Sequence, residues 1–232
     1  TKSYRTTPLG TLFGYSLLSG LILSIQVFGG HPQILFYSLL TLLLYAIMLL
    51  TYSLIQKNYS MIKWIFFSTF ILVICGVGLS AIQWIPTLEL SSRTFRVQNT
   101  YENYGTVYSM PPSKLLSFIL PHLFGDAKGH YWGEANFSEM TGYMGIVPLF
   151  LIILSIVYFK STLKNNTTFR KSFTFYFYIF LWVTTIVSLF LAFGKYNFLY
   201  PVVYHILLPL QYFRCPSRFL FLIYSTTTQS QD

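Results

Sequence analysis

Acidic residues are scarce in this chain: six Asp and Glu among 232 residues, and none before Glu89. Charge of either sign is thin, at 9%, where an ordinary soluble domain carries about 25%. A water-facing surface cannot be assembled from so few charges, so the composition predicts lipid cover over much of the protein. Cysteine is nearly absent as well. Cys75 sits in an apolar run and Cys215 far along the chain, which excludes a disulfide framework and cysteine metal-ligand spacing. Also missing are a DxD-like metal motif, a glycine-rich nucleotide loop and a nucleophile–histidine–acid set. Those absences argue against cytosolic nucleotide chemistry in this stretch of chain.

What is abundant is apolar sequence: 54% hydrophobic and 20% aromatic residues. Positions 6 to 56 contain no Asp, Glu, Lys or Arg at all. A helix needs about 20 apolar residues to cross the hydrocarbon core. Runs 8–28, 34–55, 64–86 and 173–193 meet that length, 142–159 is shorter but uncharged, and 216–226 reads as a truncated sixth span. None shows the alternation of a barrel strand, and lipid offers backbone groups no partner, so helices are the expected solution. The expected fold class is all-α: a polytopic integral membrane helix bundle forming a single transmembrane domain. The opening at TKSYR without a methionine, and the close at STTTQSQD, read as edges of a fragment of a longer protein.

The formal net charge of +9 is gathered in short clusters between the apolar runs, not on one face suited to nucleic acid. Lys2 and Arg5, then Lys57 and Lys63, then Lys160, Lys164, Arg170 and Lys171 fall on one side if the spans alternate, and that side is predicted to be cytoplasmic. The GGHPQ turn at 29–33 and the loop 87–141 then face outward. Within that loop, Ser113 is the expected N-cap of a short interfacial helix. Segment 197–213 is apolar but broken by Pro201 and Pro209. It reads as re-entrant or interfacial, with a full crossing as the alternative.

Four places carry candidate chemistry. In GGHPQ, glycines can end one helix and Pro32 can open the next; His31 and Gln33 either decorate a turn or line an outward polar cavity. At the end of the third run, Gln83 precedes an expected helix break at Pro86. Glu89 and Arg93 follow at a spacing of four, either as an interfacial pair or facing substrate. In FRCPSRF, Arg214 and Arg218 flank a predicted helix start at Pro216, an arrangement suited to an anion such as phosphate, or to lipid headgroups through snorkelling. Glu134 and Glu139 are candidate general bases, with solvated loop acids as the alternative. Asn136 opens a glycosylation sequon, a weak pattern.

GGHPQILFY, AIQWIPTLELSSRT, LLSFILPHLFG, YWGEANFSEMTGYMGIVPL and LAFGKYNFLYPVVYHILLPLQYFRCPSRFLFL occur in that order. Together they resemble the bacterial YfhO-like membrane proteins, a branch of the GT-C glycosyltransferase superfamily. The resemblance implies a multi-pass enzyme of the bacterial cytoplasmic membrane. Its donor would be a polyprenyl-phosphate-linked sugar and its acceptor an envelope polymer or lipid on the outer face. No other cofactor or metal is implied, and the catalytic acidic residue is expected upstream of this chain. Matching positions are His31, Gln33, Gln83, Arg93, Glu139, Arg214 and Arg218. The arginines are expected at the phosphate, and His31, Gln33 and Gln83 at the sugar or acceptor. Competing expectations are a transporter or flippase for a lipid-linked sugar, and a non-catalytic membrane scaffold.

Overall fold

The computed structural model describes residues 9–93, 101–126, 128, 130–133, 137–140, 142–143, 145–165 and 167–223. Among the described residues every regular element is helical. The chain divides into two compact units, 1–94 and 95–232.

The first unit contains α1 (Leu9–Phe28), α2 (Pro32–Ile55), α3 (Tyr59–Leu79) and α4 (Ala81–Ser92). Its turns follow from local chemistry. The amides of Gly29 and Gly30 donate to Ile25 and Val27 carbonyls, closing α1, and Gly30 takes φ +69°, a conformation that favours a residue without Cβ. Pro32 opens α2, where its missing N–H is harmless. Asn58 caps α3, its Oδ1 accepting the Met61 amide at 3.1 Å.

α1 and α3 are the closest neighbours in this unit because small residues let their backbones approach. A Cβ added at Gly20 would stand 2.7 Å from the Cys75 Cβ, and one at Gly76 would stand 2.6 Å from Leu23 Cδ2. An α1–α2 hydrogen bond, Gln26 Nε2 to Ser38 Oγ at 2.6 Å, joins the hairpin.

The third expected run, 64–86, is divided differently from the prediction. α3 stops at Leu79, and a separate α4 runs through Pro86 to Ser92. The break falls at Ser80, whose hydroxyl donates back to the Gly76 carbonyl at 2.6 Å, a bond that competes with the regular ladder. Trp84 Nε1 spans the break to the Val77 carbonyl at 2.9 Å. Pro86 is tolerated inside α4 because the carbonyl it fails to serve belongs to Ile82, which is 79% exposed.

The second unit contains α5 (Phe137–Met140), α6 (Ile146–Asn165), α7 (Phe173–Ala192) and α8 (Leu199–Ile206). Ser172 caps α7 by accepting the Phe175 amide. The expected helix at Ser113 is a 3₁₀ segment, Pro112–Phe118, starting one residue earlier with Pro111 at its cap; two successive prolines fix φ and leave no side chain to cap it. Segment 197–213 contains α8 and a 3₁₀ turn, Leu208–Tyr212, separated at Leu207. At about 1.5 Å per residue, α8 is too short to cross a bilayer by itself.

Five helices, α1, α2, α3, α6 and α7, are long and apolar enough to cross a membrane. Their side chains stay largely uncovered by protein: Phe66, Phe70, Ile153, Val157 and Ile22 are all more than half exposed. That is the reverse of a water-soluble helix, whose apolar stripe turns inward.

Candidate functional site

Three chain segments meet at the C-terminal end of α7. Met110 donates its amide to the Ala192 carbonyl at 3.0 Å, Lys195 to Ser109 Oγ at 3.0 Å, and Ser217 to the Tyr108 carbonyl at 3.3 Å. Gly194 makes the contact possible. It takes φ +51°, and a Cβ there would collide with Ser109 and come within 3.0 Å of Pro216. Met110, Ala192, Cys215 and Phe219 are buried at this junction.

α5 adds a carboxylate to it. Arg218 Nε donates to Glu139 Oε2 at 3.0 Å and Nη2 to Oε1 at 2.6 Å, a bidentate pair with side chains 28% and 22% exposed. The two sequence candidates are thus brought together, but as partners of one another. Both Glu139 oxygens are thereby engaged by one guanidinium. Glu134, the other candidate base, and Asn136 of the sequon lie outside the described residues.

Arg214 has a different setting. It is exposed, its guanidinium stands 5.8 Å from the Tyr108 ring centroid, and among the described residues no carboxylate pairs with it. Between the arginines, Cys215 is buried, and burial pushes its thiol above the ordinary value despite Arg218 nearby. Ser217 is 1% exposed, and its hydroxyl has no hydrogen-bond partner among the described residues.

The expected helix does start at Pro216, but its first turn is 3₁₀, Pro216–Phe219, and α-helical residues follow only from 220 to 223. The Arg218 amide donates to the Cys215 carbonyl and that of Ser217 to Tyr108. Pro216 has no N–H, so this turn offers no row of free amides for an anion. Any anion here depends on side chains.

The remaining candidates belong to the first unit. His31 is exposed at the start of α2. Gln33 is 5% exposed, and its amide donates to Tyr37 Oη at 2.7 Å; it braces α2 internally. Gln83 is exposed on α4. Arg93 pairs with Glu89 at 2.6 Å with both side chains mostly in the open, a geometry worth about 0.3–0.5 kcal/mol.

Sequence reasoning assigned no role to Lys114, which is 3% exposed. Its ammonium lies 3.5 Å from the Phe124 ring centroid and 4.6 Å from that of Tyr131, so cation–π attraction ties the 3₁₀ segment to the loop beyond it. An alternation of one lysine with aromatics is too common to have flagged this. In that loop, the Lys128 amide and His130 hold Asp126 below the ordinary carboxylate range. Among the described residues no three His, Cys, Asp or Glu side chains gather as a metal site.

No protein-family model, no curated protein and no solved structure matches this chain.

Proposed function

We propose that this chain is part of an integral bacterial membrane glycosyltransferase that draws sugar from a polyprenyl-phosphate carrier. The acceptor is an envelope polymer or lipid on the outer face. The reading rests on the ordered motifs that resemble YfhO-like proteins and on five helices of membrane-crossing length. One observation carries it furthest: Arg214 is an exposed guanidinium four residues before a second guanidinium already oriented by a carboxylate.

In this reading Arg214 meets the donor phosphate and stabilises the charge that grows on it as the glycosidic bond breaks. Glu139 positions Arg218 for the same task and does not serve as the base. His31 and Gln83, both exposed in the first unit, are retained for the sugar or acceptor.

The test is envelope glycan analysis of cells carrying Arg214→Ala, with membrane insertion followed in parallel. Loss of the glycan at undiminished insertion is expected. Unchanged glycan in both Arg214→Ala and Arg218→Ala would overturn the phosphate assignment.

A further inference from the structure

The first unit holds a groove of about 790 Å³ between α1, α2 and α3. We infer that it seats an acyl chain of an anionic phospholipid, with the phosphate headgroup at the turn that carries Lys57 and Asn58. The inference does not rest on the transferase reading, only on the three helices lying in a bilayer.

Three features point to this occupant. First, the groove is apolar where it could have been polar. Ser16 and Ser19 line it, but their hydroxyls donate to their own helix, to the Leu12 and Tyr15 carbonyls. The rest is chiefly Leu and aromatic surface, with Asn58, Ser60, Ser68 and Thr69 as its other short polar side chains.

Second, its length fits. Along α3 the lining runs from Ser60 to Val73, about 20 Å at 1.5 Å per residue. One leaflet of the hydrocarbon core is about 15 Å deep. A lipid tail of one leaflet fits within that length, whereas a spanning helix from another protein would need a channel of about 30 Å.

Third, charge marks one end. The groove reaches Asn58 and Ser60 at the α2–α3 turn. Lys57 directly precedes that turn residue, Lys63 follows one turn later, and Lys2 and Arg5 precede α1 in sequence. Residues 1–88 contain no Asp or Glu to offset them. An anionic headgroup meets unopposed positive charge there, and a zwitterionic one gains less.

The experiment is native mass spectrometry of the full chain released from nanodiscs of mixed phosphatidylglycerol and phosphatidylethanolamine. A retained phosphatidylglycerol adduct is expected. Ser68→Phe, which fills the groove at mid-height, should abolish it. Lys57→Asn, which keeps a residue tolerant of the left-handed backbone at that position (φ 54°), should leave the fold intact. It should weaken retention about fivefold, the contribution of one basic residue at a charged membrane surface. Equal retention of both lipids would overturn the headgroup assignment. No adduct, or an adduct unchanged by Ser68→Phe, would overturn the groove itself. Displacement of phosphatidylglycerol by equimolar polyprenyl phosphate would also overturn it, in favour of a donor-lipid site.

Discussion

Arg218 grips both carboxylate oxygens of Glu139 across 79 residues of sequence, and so fastens α5 to the 3₁₀ turn Pro216–Phe219. Two parallel charge-assisted bonds fix a plane as well as a distance, which a lysine could not do. The pair is neither dry nor fully solvated, so its geometry matters more than its Coulomb energy.

Removing one partner should therefore destabilise the second unit. Glu139→Gln is expected to cost about 1.5–3 kcal/mol, the range for hydrogen bonds to charged groups, nearer the lower figure because water reaches the pair. Arg218→Lys should fall in the same direction. A double-mutant cycle with Arg218→Gln, read from thermal melting in detergent, should give less than the sum of the single changes. Strict additivity would mean the contact contributes nothing.

Gly194 supplies a second test of the same junction. An alanine there meets two penalties, a left-handed backbone at about 1–2 kcal/mol and a collision with Ser109. Gly194→Ala should loosen the Met110–Ala192 and Lys195–Ser109 bonds first. Hydrogen exchange at the Met110 and Lys195 amides should accelerate before global melting shifts comparably. Gly14→Ala serves as the control, since a Cβ at Gly14 meets nothing within 4 Å.

The spans were legible because lipid simplifies the code: a long uncharged run has few alternatives. Gly29, Gly30 and Pro32 likewise announced the first hairpin through their backbone restrictions. The α3–α4 break was missed because Pro86 looked decisive, while Ser80, which ends α3, is an ordinary residue until its hydroxyl turns back on the helix. Gln33 shares the GGHPQ turn with His31, yet it lies in the first turn of α2 facing inward while the capping His31 is exposed. Glu139 stands out because carboxylates are scarce, and Arg218 because it flanks the helix start at Pro216. Their pairing was not visible, because nothing local links residues so far apart. Lys114 escaped notice for the opposite reason, since a lone lysine in a loop is normally solvated.

Lys114 can be tested through its rings. Phe124→Leu keeps an apolar side chain but removes the π face 3.5 Å from the ammonium. About 0.5–2 kcal/mol should be lost, the upper figure applying to a desolvated cation. Because the loss is confined to the strap between the 3₁₀ segment and the loop, limited proteolysis between residues 119 and 133 should accelerate more than the melting temperature falls. Cleavage unchanged from wild type would show that the rings merely cover the lysine.

Cys215 gives the last prediction. It is 1% exposed, and burial, the largest influence, raises its thiol above the ordinary 9.0; Glu139 adds to that effect, while Arg218 and Arg214 oppose it. Only the thiolate is an efficient nucleophile, so the folded thiol should resist iodoacetamide at pH 8 on both grounds, burial and protonation. In a Cys75→Ser background, alkylation at position 215 should track unfolding of the second unit. The pH dependence follows from the same shift. A group that ionises less readily in the folded state favours folding below its unfolded value and loses that advantage as pH rises through the folded one. Stability of the second unit should therefore decline above about pH 9 with a component that Cys215→Ala removes. Arg214→Ala sharpens the test: because labelling requires unfolding, losing this cation should not speed alkylation while the unit stays folded. Faster labelling in Arg214→Ala, with the melting temperature unchanged, would mean that the arginine shields the thiol and does not stabilise its anion.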